Sequence, residues 1–329
     1  MKDAVFGGTG RILSRPGLGC MGMSHIYGAA DDAESIATIQ EAIDLGVQLL
    51  DTSASYGSGH NQELIGKAIK GRQDKVLVHC KFGSRRNASG QSVSSSASID
   101  TAREDCEDAL RRLGVEAVDI MAPSRVDPEV PIEETVGALS RLVEDGKLRF
   151  VGLSEAGVES IRRANDVHPI ASLQMEYSLL TRDYEAEHKA VCAEFGMALM
   201  AYAPFGRGLL TGMFESAATI PEGDRRPKDF PRFQEGNLEK NLALVANLRA
   251  LADAKGATPA QVALAWAMAQ GDEVFPIPGA KSRGHLRENV AAANVELSAK
   301  DLADLGGWFA PENVAGDRYG ERGMGRVNR

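Results

Sequence analysis

The sequence predicts a (β/α)8 barrel, an α/β fold with long loops at the C-terminal ends of its strands. Three observations support this prediction: eight short apolar runs recur along the chain, amphipathic segments separate them, and the connections between them are mostly short. Continuous apolar runs are typical of parallel strands that are buried on both faces. Eight strand–helix units then favour a closed barrel, with a doubly wound open sheet as the structural alternative.

The eight predicted strands are the short apolar runs, beginning with a glycine-rich first run. They lie at 17–21, 47–50, 76–78, 118–121, 150–153, 170–173, 197–201 and 274–277.

The segments between the strands are predicted to be helices, because their apolar residues recur at helical spacing, as at Ile36, Ile39 and Ile43. Near the C-terminus, Thr258 precedes a proline and stands three residues before a glutamine. That pattern indicates a capped helix start, and Ser298 with Asp301 repeats it.

The whole chain, 1–329, is predicted to form one domain with two long loops. Residues 84–98 are polar and serine-rich, and residues 214–236 are rich in proline, glycine and charge. Loops at the C-terminal ends of barrel strands often carry function, and a disordered surface insert is the alternative for the serine-rich stretch. Arg225 and Arg226 suggest phosphate contact in the second loop.

Composition limits the classes of partner. The net charge of −9 argues against nucleic acid or an anionic membrane as the main partner, whereas a local basic cluster could still bind a phosphorylated cofactor. Four widely spaced cysteines without a Cys-X-X-Cys pair predict reduced thiols, a cytoplasmic location and no metal site. No run approaches the length of a membrane span. The oligomeric state stays open.

Three polar residues lie at or just beyond predicted strand ends, where barrel enzymes place their catalysts. Asp51 ends the second strand, Tyr56 follows it, and Lys81 ends the third strand. An unpaired buried charge is costly, so we expect Lys81 to pair with Asp51. A lysine beside a phenol lowers the phenol's pKa from about 10, which suits proton transfer near neutral pH. A purely structural pair, with Tyr56 in a turn, is the alternative.

The sequence resembles the aldo-keto reductases in motifs that follow one another in the family's order. They are DTSASYGSGHNQELIGKAIKGR, VHCKFG, GLSEAG, LQMEYSLL, AYAPFGRGLLTG and IPGAKSRGHLRENV. The opening GLGCMGMSHIYG and the closing GDRY and RVN segments resemble a subgroup with long bacterial and plant members. The resemblance runs from about residue 10 to the C-terminus.

The resemblance implies an oxidoreductase that uses NADPH to reduce an aldehyde or ketone, with the reverse oxidation of an alcohol also possible. It implies that Tyr56 donates the proton to the carbonyl oxygen and that Lys81 and Asp51 tune the phenol. The hydride chemistry belongs to the cofactor, and the protein orients it. The small-molecule substrate itself is not implied.

The resemblance also implies a set of cofactor contacts. Gln174 and Ser154 would hold the nicotinamide carboxamide, Tyr202 would stack on the nicotinamide, and residues 204–208 would wrap the pyrophosphate. Lys281, at a helix N-terminus, would bind the 2′-phosphate that distinguishes NADP from NAD. The complete predicted set is Cys20, Met21, Ser154, Gln174, Tyr202, Pro204, Gly206, Gly208, Arg232, Gly279, Lys281, His285, Glu288 and Asn289.

The sequence departs from the family at the end of the fourth strand. Ser124 stands where the family has a catalytic histidine, and it can donate a hydrogen bond but carries no charge. His79, two residues before Lys81, should share the inward face of the third strand. It could compensate for the missing imidazole or simply be a buried histidine satisfied by its neighbours. His25 and Tyr27 could line the substrate pocket or belong to an ordinary polar loop.

Two further functions remain open at this point. Ser124 favours a cofactor-binding regulatory module with vestigial chemistry, although Asp51, Tyr56 and Lys81 are all present. An enzyme that oxidises a particular sugar or secondary alcohol is the other alternative, in which Ser124 suits the substrate's hydroxyl group.

Overall fold

The computed structural model describes residues 2–24, 30–86 and 92–328. His25 and Tyr27, predicted as pocket residues, lie outside the described residues.

Twelve strands are present in the described chain. They are β1 (Lys2–Val5), β2 (Ile12–Arg15), β3 (Leu18–Gly19), β4 (Leu49–Ser53), β5 (Leu77–Phe82), β6 (Ser84–Arg86), β7 (Ser92–Ser95), β8 (Val118–Pro123), β9 (Leu148–Ser154), β10 (Ile170–Glu176), β11 (Ala198–Tyr202) and β12 (Val274–Pro276).

The helices of the described chain alternate with these strands. They are α1 (Asp32–Asp44), α2 (His60–Ile69), α3 (Ile99–Leu113), α4 (Ile132–Glu144), α5 (Val158–Val167), α6 (His188–Phe195), α7 (Arg226–Asp229), α8 (Asn237–Lys255), α9 (Pro259–Met268), α10 (Arg283–Ala291), α11 (Ala299–Trp308) and α12 (Glu321–Met324).

Eight parallel strands form one curled sheet in the order β3-β4-β5-β8-β9-β10-β11-β12. Hydrogen bonds also join its two end strands: the backbone N–H of Gly17 donates to Pro276 O (2.9 Å) and that of Gly19 to Pro278 O (3.0 Å). The sheet therefore curls back on itself, consistent with the predicted (β/α)8 barrel. All eight predicted strands are present; β4, β5, β8 and β10 extend two or more residues past the predicted ends, whereas β3 and β12 end before them.

Helix starts follow the predicted capping residues. Thr258 accepts from the N–H of Gln261 at the start of α9, and Gln261 bonds back to the N–H of Thr258. Ser298 and Asp301 make the same reciprocal pair at α11. These bonds satisfy N–H groups that a helix start leaves without partners, so both helices begin where the sequence predicted.

An antiparallel hairpin of β1 and β2 lies at the N-terminal ends of the barrel strands. Its Phe6 and Leu13 are fully buried and belong to the same apolar cluster as Leu49 and Leu77 of the barrel. The ring of Phe6 packs edge-on against Phe275, with centroids 4.8 Å apart. The hairpin was not predicted, and it closes the end of the barrel opposite the candidate site.

The two predicted loops contain more structure than expected. The serine-rich stretch includes an antiparallel hairpin of β6 and β7, so its reading as a continuous loop was wrong for those residues. The second stretch contains only short helical turns, including α7. Arg225 pairs with Asp229 and Arg226 with Asp224, so both predicted phosphate contacts already have acidic partners. Within the described residues, no helix combines the length and apolar character needed to cross a membrane.

Candidate active site

Asp51, near the end of β4, is the centre of a buried polar cluster at the C-terminal ends of the barrel strands. The ammonium of Lys81 lies 2.5 and 2.7 Å from its two carboxylate oxygens. Oδ1 also accepts from His79 Nδ1 at 3.0 Å and from Gln174 Nε2 at 2.7 Å. Asp51 and His79 are register partners on adjacent strands, which explains why their side chains meet. The predicted pairing of Asp51 with Lys81 is therefore present.

The charges of this cluster stabilise one another. Burial alone would raise the pKa of Asp51, but Lys81 and His79 lower it below the usual value. Burial would lower the pKa of Lys81, whereas Asp51 and Tyr56 raise it. Burial lowers the pKa of His79 despite its bond to Asp51. Around neutral pH the cluster therefore holds an ionised Asp51–Lys81 pair beside a neutral imidazole.

Tyr56 lies beside this pair, in the turn that follows β4. Its ring centroid is 5.2 Å from the Lys81 ammonium, and its side chain is 8% exposed. The turn continues through Gly57, Ser58 and Gly59, all with positive φ in the left-handed region. The structure thus brings together the three residues predicted from strand ends, with the phenol next to a fixed cation.

Ser124 follows β8, four strands along the barrel from β12 in either direction. It is 9% exposed, and its Oγ is buried without a hydrogen-bond partner in the described chain. Nδ1 of His79 is not available to bond Ser124, because it is hydrogen-bonded to Asp51. His79 Nε2 is also buried without a partner among the described residues. No hydrogen bond between His79 and Ser124 therefore supports the expectation that His79 takes the role of the histidine that the family resemblance implies at position 124.

A second cluster, which the sequence analysis missed, is centred on Glu155 at the end of β9. Both nitrogens at the end of Arg318 donate to it, at 2.9 and 2.7 Å, and the Tyr202 hydroxyl donates at 2.8 Å. Tyr319, next to Arg318 in the C-terminal segment, bonds the Tyr202 hydroxyl at 2.8 Å. A glutamate directly after a buried strand needs a partner of opposite charge, so the position of Glu155 in the sequence could have indicated this cluster.

Glu176, at the end of β10, holds a third cluster. Arg207 donates to its Oε2 at 2.8 Å, and Arg232 lies 3.6 Å from its Oε1. Arg232 also donates to Thr181 Oγ1 at 2.7 Å. The predicted cofactor residue Arg232 is therefore already held by groups of the protein, and a cofactor contact would use its remaining donors.

Backbone strain is concentrated at the same end of the barrel. Ser58, Glu155, Ala203 and Arg207 are the non-glycine residues of the described chain with φ in the left-handed region, between 50° and 60°. Each lies in a segment that follows a barrel strand. Strained backbone of this kind costs about 1–3 kcal/mol per residue and tends to occur at functional sites. This distribution independently indicates that the C-terminal ends of the strands carry the function.

The residues predicted to contact the nicotinamide differ in burial and in the hydrogen bonds that they already make. Ser154 Oγ is buried and lacks a hydrogen-bond partner in the described chain, so it could accept or donate to a carboxamide. Gln174 uses its Nε2 to bind Asp51, which leaves its oxygen for a ligand. Tyr202 is only partly buried, and its hydroxyl is fixed by Glu155. The side chain of Cys20 is fully buried, so a contact there would involve backbone atoms, and Met21 is partly exposed beside it.

The turn predicted to wrap the pyrophosphate begins at Pro204 and contains two glycines in left-handed conformations. Gly206 has φ 53° and Gly208 has φ 101°. Their N–H groups donate inside the turn, to Ala203 O and Phe205 O. The glycines therefore fix the shape of the turn here, and its predicted contact with a pyrophosphate is not made by these two N–H groups in this conformation.

The last predicted segment begins at Gly279 and leads into α10. Ser282 caps this nine-residue helix by accepting from the N–H of His285, whose side chain is exposed. Lys281 is partly exposed just before the helix, where the helix N-terminus favours a phosphate. Asn289 is buried and makes a long contact of 3.5 Å with Gly279 O. Together with the unpaired Ser154 hydroxyl, this arrangement fits a phosphorylated dinucleotide.

Glu288, the remaining residue of the predicted cofactor set, accepts from the Thr258 hydroxyl at 2.7 Å. It therefore has a structural role at the start of α9, beside any role in binding a ligand.

Comparison with known proteins is consistent with this geometry. A statistical model of the Aldo/keto reductase family matches residues 17–307. The glycerol dehydrogenase of Gluconobacter oxydans is 29% identical, with a TM-score of 0.85 over 94% of this chain and 96% of that one. An aldo-keto reductase of Klebsiella pneumoniae, solved in complex with NADPH, is 26% identical, with a TM-score of 0.75 over 94% and 96%. The holo form of an aldo-keto reductase from Bacillus halodurans is 25% identical, with a TM-score of 0.77 over 94% and 97%.

Proposed function

Because the chain belongs to the aldo/keto reductase family, it is an NAD(P)H-dependent oxidoreductase, and we propose that it reduces an aldehyde or ketone with NADPH. The reverse oxidation of an alcohol would use the same site. The observation that carries the proposal is the cluster of Tyr56, Lys81 and Asp51 at the C-terminal ends of the strands.

When bound, NADPH would supply the hydride for the carbonyl carbon. Tyr56 donates its hydroxyl proton to the carbonyl oxygen, so that carbon gains the hydride and oxygen gains the proton. The ammonium of Lys81 lies beside the phenol ring and stabilises the phenolate that remains. Asp51 holds that ammonium with both carboxylate oxygens. Proton uptake from solvent then restores Tyr56.

NADP(H) is the proposed cofactor, as in the Klebsiella pneumoniae reductase that was solved with NADPH. Ser154, Gln174 and Tyr202 would hold the nicotinamide end, and the 204–208 turn would lie along the pyrophosphate. Lys281 would bind the 2′-phosphate. The unpaired hydroxyl of Ser154 and the capped start of α10 support this placement.

Ser124 takes the place at which the family resemblance implies a histidine. Its hydroxyl can donate one hydrogen bond to a carbonyl oxygen, but it cannot supply a positive charge. Its Oγ is buried in this structure, so a contact with substrate requires a small local movement. We therefore expect Tyr56 and Lys81 to supply most of the stabilisation of the developing charge.

The test is turnover of NADPH by the purified protein with a panel of aldehydes and ketones. Tyr56→Phe should reduce kcat by ~10²–10⁴-fold, because a positioned acid–base group typically contributes that factor. Tyr184→Phe is the matched control, since Tyr184 is buried outside the site and packs against Tyr177. Unaltered turnover in Tyr56→Phe would contradict the proposal. Tight NADPH binding without turnover of any carbonyl would instead favour alcohol oxidation or a regulatory role.

A further inference from the structure

Arg125, directly after Ser124 at the end of β8, is a partly buried cation without an ion pair in the described chain. Its Nη1 donates to the carbonyl oxygen of Ser124 at 2.6 Å. The other arginines around the site differ, because Arg207 and Arg232 lie 2.8 and 3.6 Å from Glu176, and Arg318 lies 2.7 Å from Glu155. A charge that is removed from water without a partner is costly, so this guanidinium is suited to a ligand of opposite charge.

The nearby carboxylates are already occupied. Asp127, two residues along the chain, accepts from the N–H of Ala97 and the N–H of Glu129, both at 3.0 Å. Glu155 accepts from both terminal nitrogens of Arg318 and from Tyr202. Neither is therefore free to turn towards Arg125 without breaking bonds that it already makes.

The carboxylate that acts on Arg125 is shared with another arginine. Glu155 is already paired with Arg318, on which Glu176 also acts. Burial would lower the pKa of Arg125, but Tyr202, Tyr319 and Glu155 outweigh it and raise the pKa further. The guanidinium is therefore charged at every pH at which the enzyme would work.

The position of Arg125 separates it from the predicted phosphate contacts. Those contacts follow β11 and β12, whereas Arg125 follows β8, which is opposite β12 in the ring of eight strands. The guanidinium nevertheless interacts electrostatically with Tyr202, the residue proposed to stack on the nicotinamide, so a bound nicotinamide would bring the reacting carbonyl towards Arg125. The unpaired charge is consequently available to the substrate.

We propose that Arg125 binds an anionic group of the substrate, so that the enzyme prefers aldehydes or ketones that carry a carboxylate. A guanidinium matches a carboxylate with two parallel hydrogen bonds, which also fixes the orientation of the bound molecule. This inference rests on the proposed reduction of carbonyl compounds, and it specifies the class of substrate.

The experiment compares carbonyl compounds of equal chain length with and without a carboxylate, such as succinic semialdehyde with butanal and 2-oxobutanoate with butanone. In at least one of the two pairs, the wild-type enzyme should show a kcat/KM about 10- to 100-fold higher for the carboxylated compound than for its neutral counterpart. That is the range expected of a hydrogen bond to a charged group. In Arg125→Gln this ratio should fall close to one, and in Arg125→Lys it should stay intermediate.

Arg141→Gln is the matched control. Arg141 is exposed in the last turn of α4, at the opposite end of the barrel, so its loss removes the same charge without affecting the ratio. Melting temperature and NADPH binding show whether each variant folds. If Arg125→Gln does not fold, the inference is tested by the wild-type ratio of kcat/KM values and by whether that ratio falls in Arg125→Lys.

Equal kcat/KM for carboxylated and neutral substrates in the wild type would overturn this inference and leave the proposed function intact. A preference that persists in Arg125→Gln would also overturn it, because the anion would then bind elsewhere. Absence of turnover with every carbonyl compound would remove the proposed function and, with it, this inference.

Discussion

The C-terminal segment is fixed to the barrel through one buried ion pair, and replacing Arg318 with methionine tests its contribution. The side chains of Arg318 and Glu155 are 3% and 0% exposed. Methionine keeps much of the apolar stem of arginine while it removes the charge and the two bonds to Glu155. The Glu155 carboxylate is then left buried without its ion-pair partner.

Breaking a buried pair by removing one partner typically costs about 3–5 kcal/mol. Near the end of the chain, part of this cost can be relieved if the segment detaches and water reaches Glu155. Detachment in turn loses the bond between Tyr319 and Tyr202 and that from the Gly157 N–H to Asn328. We therefore expect Arg318→Met to lower the free energy of unfolding by about 3 kcal/mol, the lower end of that range.

Urea unfolding measures this loss, and limited proteolysis shows whether the C-terminal segment detaches. Arg322→Met is the matched control, because Arg322 is exposed in the same segment. The double variant Glu155→Gln with Arg318→Met should recover part of the stability, since it removes the uncompensated charge. A change of less than about 0.5 kcal/mol in Arg318→Met, the size of an ordinary surface substitution, would refute the reasoning.

Three further predictions concern single side chains. His79→Ala should slow NADPH turnover about tenfold, less than Tyr56→Phe, because it removes one of three donors to Asp51; an equal loss in both variants would indicate a direct catalytic role. Lys255 and Ser298 lower the pKa of Asp301 to about 2, so its stabilising effect is present above the unfolded pKa of about 3.9 and is lost as the pH falls through about 2. Asp301→Asn should accordingly lower the melting temperature more at pH 7 than at pH 2, and an equal loss at both would contradict this assignment. Gly206→Ala should lower the free energy of unfolding by about 1–3 kcal/mol and weaken NADPH binding, because its φ is 53° and a Cβ would lie 2.5 Å from Leu180; unchanged stability would show that the turn can relax.

The order of the barrel strands was predictable because each strand is a short apolar run, and the observed strands lie at all eight predicted places. The hairpin of β1 and β2 was not, because neither strand forms a continuous apolar run, and its apolar contacts with the core come from the separate residues Ala4, Phe6 and Leu13. Its position depends on packing against the finished barrel, which no local pattern in those residues specifies.

The centre of the site was predictable because a lysine and an aspartate at the ends of adjacent buried strands would each be a costly unpaired charge without the other. The bond from Gln174 to Asp51 was not, since it crosses the barrel between residues that are 123 positions apart. The cluster at Glu155 depends in the same way on Arg318, which lies 163 positions further along the chain. The sequence shows that such groups need partners, but closure of the barrel and docking of the C-terminal segment decide which ones they find.

The central claim, direct hydride transfer from NADPH to a carbonyl carbon with Tyr56 as the proton donor, is tested most directly with deuterium-labelled cofactor. The alcohol product should gain one deuterium at the former carbonyl carbon from only one of the two stereospecifically labelled forms of NADPH, and Tyr56→Phe should form that product at least ~10²-fold more slowly. A product without deuterium from either form, or one formed equally fast by Tyr56→Phe, would contradict the account.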